Sequence, residues 1–210
     1  MRAAELVRPG MLVGLGTGST VRYFLDALHE VSFIGVPSSV ETARMARDRG
    51  VTITTEPDRE LDLAVDGADE IDPSLNLIKG RGGALLREKL VALMAKRFVV
   101  IADESKLVPR LGIGVLPVEV VPFLWRRTAG RLAALGATWT LRGGESKPYL
   151  TDNGNLILDL IVEGGVAEPE RYASTLKGVP GLCEHGLFIK MASGAIIGGS
   201  KGVRELGSVR

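Results

Sequence analysis

Glu88 stands where chemistry is easiest to suspect. Its helical neighbours at three and four positions are Ala84, Leu85, Val91 and Ala92. All are apolar, so the carboxylate projects from the face where a core residue is expected. Partial desolvation there should raise its pKa, and a raised carboxylate facing a pocket makes a good general base. The small residues Ala84, Ala92 and Ala95 leave room beside it. The plainer alternative is a helix-edge Glu paired with a lysine. Lys89 and Lys96 are expected on the solvent side.

Other residues could serve the same reaction. Asp66-Gly67-Ala68-Asp69 ends an apolar run, and Glu70 and Asp72 follow. Two carboxylates can manage sugar hydroxyl protons or hold magnesium, or simply shape a turn. Asp72, before Pro73, reads as a turn residue. Lys79-Gly80-Arg81-Gly82-Gly83 brackets a lysine with glycines, which suits an anion or enolate stabiliser or a solvated loop. Gly14-Leu15-Gly16-Thr17-Gly18-Ser19-Thr20 follows a strand pattern and opens a helix pattern, a placement that suits phosphate or sugar binding. It is neither a dinucleotide fingerprint nor a Walker loop. Lys106, past a third apolar run, could close on phosphate.

These residues need a scaffold that brings them together. MLVGL, LDLAV and FVVIA fit buried strands. In a parallel sheet all strand C-termini share one edge, where ligands bind, so the short polar segments that follow these three runs are expected to converge. The first half alternates: strands at 11–15, 33–36, 51–55, 61–65 and 98–102, with helices at Thr20–His29, Val40–Arg49 and Ala84–Arg97. This predicts a mostly parallel α/β sheet. Past Gly114 the order changes to β-α-β-β-α-β, with strands at 115–121, 138–142, 156–162 and 187–191 and helices at 123–135 and 168–176. That is a ferredoxin-like order. Ala195–Ile197 is expected to return to the first sheet.

The bulk numbers narrow the classes. The 210 residues carry 26 basic and 25 acidic side chains, so no basic excess points to nucleic acid or a membrane surface. Cys183 is the one cysteine, which excludes an internal disulfide and a cysteine-based zinc site. There is no signal-peptide pattern, and no apolar run nears the roughly 18 residues of a membrane helix. A cytoplasmic protein is expected. His29 and His185 have no partner pattern, and Cys183 reads as a small core residue.

GLGTGST, DGADEID, KGRGGALLREK and ADESK occur in this order, with LPVEVVPF and TDNGNLILD further on. Together they resemble the type A family of ribose-5-phosphate isomerases over nearly the whole chain. The resemblance implies a Rossmann-like α/β domain (1–114 plus 192–210) with an inserted ferredoxin-like α+β domain (115–191). It implies interconversion of ribose 5-phosphate and ribulose 5-phosphate in the non-oxidative pentose phosphate pathway, with neither cofactor nor metal. Glu88 then matches the base, and Asp66 and Asp69 the aspartates that assist ring opening and hold hydroxyls. Lys79 matches the lysine beside the enediolate. Thr17, Gly18, Ser19, Thr20, Gly67, Ala68, Gly80, Arg81, Gly82 and Lys106 match the substrate-binding positions. A homodimer or homotetramer is implied as well.

Two departures stand out. Only Arg2 and Arg8 precede the first loop, where the family often has a lysine near the phosphate. Arg81 replaces a residue that is usually small or neutral. Competing readings fare worse: no acyl-CoA transferase motif is found, the histidines are poorly placed for a sugar-phosphate deaminase, and no length remains for a regulator's helix-turn-helix. A magnesium-dependent phosphatase rests on the aspartates alone.

Overall fold

A computed structural model describes residues 2–28 and 31–209, so the expected helix end at His29 lies outside the described residues. The elements run β1 (Leu12–Leu15), α1 (Ser19–Asp26), β2 (Ile34–Pro37), α2 (Val40–Arg47), β3 (Thr52–Ile53), β4 (Leu63–Asp66), β5 (Glu70–Ile71), β6 (Leu77–Ile78), α3 (Leu85–Leu93) and β7 (Phe98–Asp103). They continue with β8 (Leu116–Val120), α4 (Trp125–Ala133), β9 (Ala137–Leu141), β10 (Leu156–Val162), α5 (Pro169–Lys177), β11 (Leu182–His185), β12 (Leu187–Phe188), β13 (Gly194–Gly199) and β14 (Gly202–Gly207).

Packing divides the chain into two units, Met1–Ala68 with Arg87–Lys106 and Lys190–Arg210, and Asp69–Leu86 with Leu107–Ile189. Residues 69–86 and 107–114 thus group with the second unit, where the sequence reading had kept them with the first. The reason is local: β5 and β6 pair with β12, not with the parallel sheet.

The first unit carries a seven-stranded sheet in the order β14-β13-β7-β4-β1-β2-β3. All pairs are parallel except β13 with β14. β1 and β4 are buried along their full length, as strands covered on both faces must be, which is why they read as unbroken apolar runs. α1 buries Val21, Phe24 and Leu25 in the core that includes Leu15, Val65 and Ile101. On α3, Val91 packs with Met94 and Ala95 of the following turn against Leu12, Val36 and Leu61. α3 stops at Leu93, short of the expected Arg97. The backbone instead joins residue 61, with Leu61 N–H donating to Met94 O and Lys96 N–H to Leu61 O.

The second unit has a four-stranded antiparallel sheet, β11-β8-β10-β9, with α4 and α5 packed on it, the ferredoxin-like arrangement. Its fourth strand is Leu182–His185. The segment expected there, Leu187–Met191, supplies only Leu187–Phe188, which pairs with β6 in the three-stranded sheet. Gly186 between them donates its N–H to Pro117 O and accepts from Lys79 N–H, so the chain changes sheets at that residue.

Candidate active site

In the first unit, Asp66 ends β4, and its buried carboxylate turns back onto the loop after β1. Oδ1 accepts N–H bonds from Thr17 at 3.1 Å and Gly67 at 2.7 Å. A Cβ at Gly16 would lie 1.9 Å from that oxygen, so only glycine admits the carboxylate. Thr17 turns its hydroxyl to a cluster from the next βα connection: Ser38 Oγ at 2.9 Å, Ser39 Oγ at 3.0 Å and Thr42 Oγ1 at 3.3 Å. Thr42 Oγ1 donates to Gly16 O at 2.8 Å, closing the network. Ser39 also caps α2 by accepting Thr42 N–H at 3.0 Å. Sequence reasoning missed these three hydroxyls. The Ser-Ser pair before a helix pattern signals a cap, but nothing in it names a loop more than 20 residues earlier.

Gly18, at φ 115°, is the N-cap of α1 and offers no side chain to cap it. The first-turn N–H groups at Ser19 and Thr20 therefore lack the usual side-chain partner, and Gly18 and Ser19 are exposed. Such a terminus suits an anionic group. Ala68 and Gly67 are half-buried beyond Asp66.

Glu88 is 4% exposed on α3, and its Oε2 is enclosed with no hydrogen bond. The expectation of a desolvated carboxylate on the apolar face is met in its geometry. Lys89 is buried as well, against the expectation that it faces solvent; Lys96 does face solvent, 3.4 Å from Asp62. Lys106 ends a 3₁₀ turn after β7 and is half-buried. The Ser105 hydroxyl, and more weakly the Lys106 charge, hold the Asp103 carboxyl below its usual range.

In the second unit, Asp69 and the 79–83 loop meet. Asp69 N–H donates to Ile78 O at 2.8 Å, and Asp69 Oδ2 accepts Arg81 N–H at 3.0 Å. Arg81 Nε lies 3.9 Å from the other carboxylate oxygen. Lys79 is buried, its Nζ 5.5 Å from the Phe188 ring centroid, a cation–π distance. Its N–H donates to Gly186 O at 2.9 Å. Gly80 is buried, while Arg81 and Gly82 are exposed.

Neighbouring acids do other work. Buried Glu70 accepts the N–H groups of Gly112 at 2.6 Å and Gly114 at 2.5 Å. Asp72 accepts from Ser74 N–H and Asn76 N–H, the turn role expected of it. Burial pushes the Cys183 thiol up, away from a reactive thiolate. Among the described residues no group of three or more His, Cys, Asp and Glu is placed to hold a metal.

Residues 34–202 match the family model of ribose 5-phosphate isomerase A (phosphoriboisomerase A). The chain belongs to this family. A ribose-5-phosphate isomerase A of Synechococcus sp. is 51% identical over 214 residues, covering 97% of this chain and 93% of its own. Among solved structures, a ribose 5-phosphate isomerase A of Methanocaldococcus jannaschii aligns with TM-score 0.92 at 36% identity, over 99% of this chain and 95% of its own. A D-ribose-5-phosphate isomerase in complex with phospho-erythronic acid aligns with TM-score 0.94 at 38% identity, over 99% and 95%. The phosphoriboisomerase A match thus spans both units and every candidate residue from Asp66 to Lys106; only the first glycine loop precedes residue 34.

Proposed function

We propose that this chain interconverts D-ribose 5-phosphate and D-ribulose 5-phosphate through an enediolate. The observation that carries the reading is the near-full-length likeness to proteins named ribose-5-phosphate isomerase A. The chemistry fits the residue types. Ring opening needs a group to take the anomeric hydroxyl proton. The isomerisation then moves one hydrogen from carbon two to carbon one and another from oxygen two to oxygen one. No electrons are gained or lost, so the atom balance asks for a base, a proton return and a positive charge.

Glu88 is the base: a buried carboxylate is a stronger proton acceptor toward carbon than a solvated one. Lys79 stabilises the enediolate oxygen, and its burial strengthens that attraction. Asp66 and Asp69 assist ring opening and hold the hydroxyls, with Gly67 and Ala68 beside them. Thr17, Gly18, Ser19 and Thr20 bind substrate through the start of α1, and Gly80, Arg81, Gly82 and Lys106 contribute further contacts. The phospho-erythronic acid held by one relative combines a phosphate with a planar carboxylate, the two features of a phosphorylated enediolate. In this reading the enzyme works as a homodimer or homotetramer in the cytoplasm. Among the described residues no helix is long and apolar enough to cross a membrane.

The test is a coupled assay for ketopentose formation from ribose 5-phosphate, using protein treated with EDTA. Full activity supports a metal-independent isomerase. Activity that returns only with a divalent ion would make the aspartates metal ligands. Inactivity in both conditions would overturn the reading.

A further inference from the structure

Three of the five residues in Lys79-Gly80-Arg81-Gly82-Gly83 are glycine, so ordering this loop costs more backbone entropy than any other side-chain choice would. Something must hold it. Arg142, just past β9, donates from Nη1 to Gly80 O at 2.9 Å and to Arg81 O at 3.1 Å. Tyr149 Oη reaches Gly82 O at 3.4 Å, and Gly83 N–H closes back onto Gly80 O at 3.0 Å. The guanidinium is itself fixed. Its Nε and Nη2 meet the two carboxylate oxygens of Asp159, on the neighbouring strand β10, at 3.0 and 2.5 Å. Both side chains are more than four-fifths buried.

The direction of these bonds matters. A trans peptide points its C=O and N–H to opposite sides. With Gly80 O on Arg142, the N–H of Arg81 faces away and meets Asp69 Oδ2. Arg142 and Asp69 therefore grip the same peptide from its two sides. The next peptide repeats the pattern: Arg81 O is on Arg142, so Gly82 N–H faces away as well, and it makes no hydrogen bond among the described residues. That leaves a donor on an exposed residue of the loop, next to the Arg81 N–H that meets Asp69.

We infer that Arg142, oriented by Asp159, is a positioning residue for the isomerisation. It sets the peptide planes of the 79–83 loop so that Lys79, Asp69 and the Gly82 N–H keep the geometry that the enediolate requires. The inference rests on the isomerase reading. Arginine is needed because one planar fork serves two carbonyls and a bidentate carboxylate at once; a lysine ammonium has no such geometry.

The experiment measures kcat and KM for ribose 5-phosphate, with thermal midpoints, in the parent, Arg142→Ala, Arg142→Lys and Asp159→Asn. Arg142→Ala should lower kcat by about 10–100-fold, the scale of a misplaced catalytic group, with KM changed far less. Arg142→Lys should not recover it. Millimolar guanidinium chloride, too dilute to unfold the protein, should restore kcat in Arg142→Ala and leave Lys79→Ala unaffected. A merely structural role predicts a lower thermal midpoint with no such rescue. Asp159→Asn keeps the guanidinium but loosens it, and should cost roughly three- to tenfold in kcat. If Arg142→Ala fails to fold, Asp159→Asn decides. Normal kcat in the folded variants, with an active parent, overturns the inference alone. An inactive parent overturns the isomerase reading and this inference with it.

Discussion

The molecule holds two glycine-rich loops with different chemistry. The 14–20 loop is fixed at its Gly16–Thr17 peptide by a carboxylate and a neutral hydroxyl: Asp66 accepts Thr17 N–H, and Thr42 donates to Gly16 O. The 79–83 loop is fixed mainly through its carbonyls, by a guanidinium that is itself ion-paired. The difference is one of consequence. In the second loop two successive carbonyls are tied, which turns Gly82 N–H outward, whereas the first loop offers mainly the uncapped start of α1. Glycine serves different ends too. At Gly16 it lets a carboxylate approach; in the second loop it lets successive peptides turn.

Substitutions can break this contrast. The largest effect is expected at Lys79→Ala, where losing an oxyanion partner should cost about 10²–10³ in kcat, read from initial rates. A loss in KM alone would place Lys79 in ground-state binding. Gly16→Ala should follow, at about 10² in kcat, because the new methyl must displace the Asp66 carboxylate. Should Gly16→Ala retain parental turnover, the lock between loop and aspartate is dispensable. Thr42→Val, nearly isosteric, leaves Gly16 O unmatched and should cost about 1–3 kcal/mol in urea unfolding, with kcat within about twofold. A large kcat effect would show that the hydroxyl cluster tunes chemistry and does not only hold the loop.

The smallest effect concerns pH. Asp62 is held below its ordinary carboxyl value, first by the Leu12 N–H it accepts and then by Arg59. A depressed folded pKa contributes stability at neutral pH that fades as pH falls through the folded value. Asp62→Asn should therefore lower the urea midpoint at pH 7, and the deficit should shrink as pH falls through the depressed value of the folded carboxyl. A deficit that does not change with pH would assign the loss to packing.

Much of this was legible in the chain. The central strands β1, β4 and β7 announce themselves as apolar runs, and Glu88 as a charge on an apolar face. Other parts were hidden for physical reasons. β11 reads Leu-Cys-Glu-His, with a buried polar pair at its end, so the neighbouring Leu-Phe-Ile attracts the strand assignment instead. β5 and β6 are two residues each, too short for any period, and β14 is an exposed edge with no apolar alternation. At the site, each carboxylate could be picked out by its own neighbours. The Ser38, Ser39 and Thr42 cluster and the Arg142 grip could not, because their partners lie 21 to 62 residues away and local sequence carries no record of them.

The central claim is that buried Glu88 moves the proton. It is tested most directly by the turnover of Glu88→Gln on ribose 5-phosphate, with its thermal midpoint measured alongside. The account predicts a folded protein whose kcat is lower by at least about 10²-fold. A folded Glu88→Gln with near-parental turnover would contradict it.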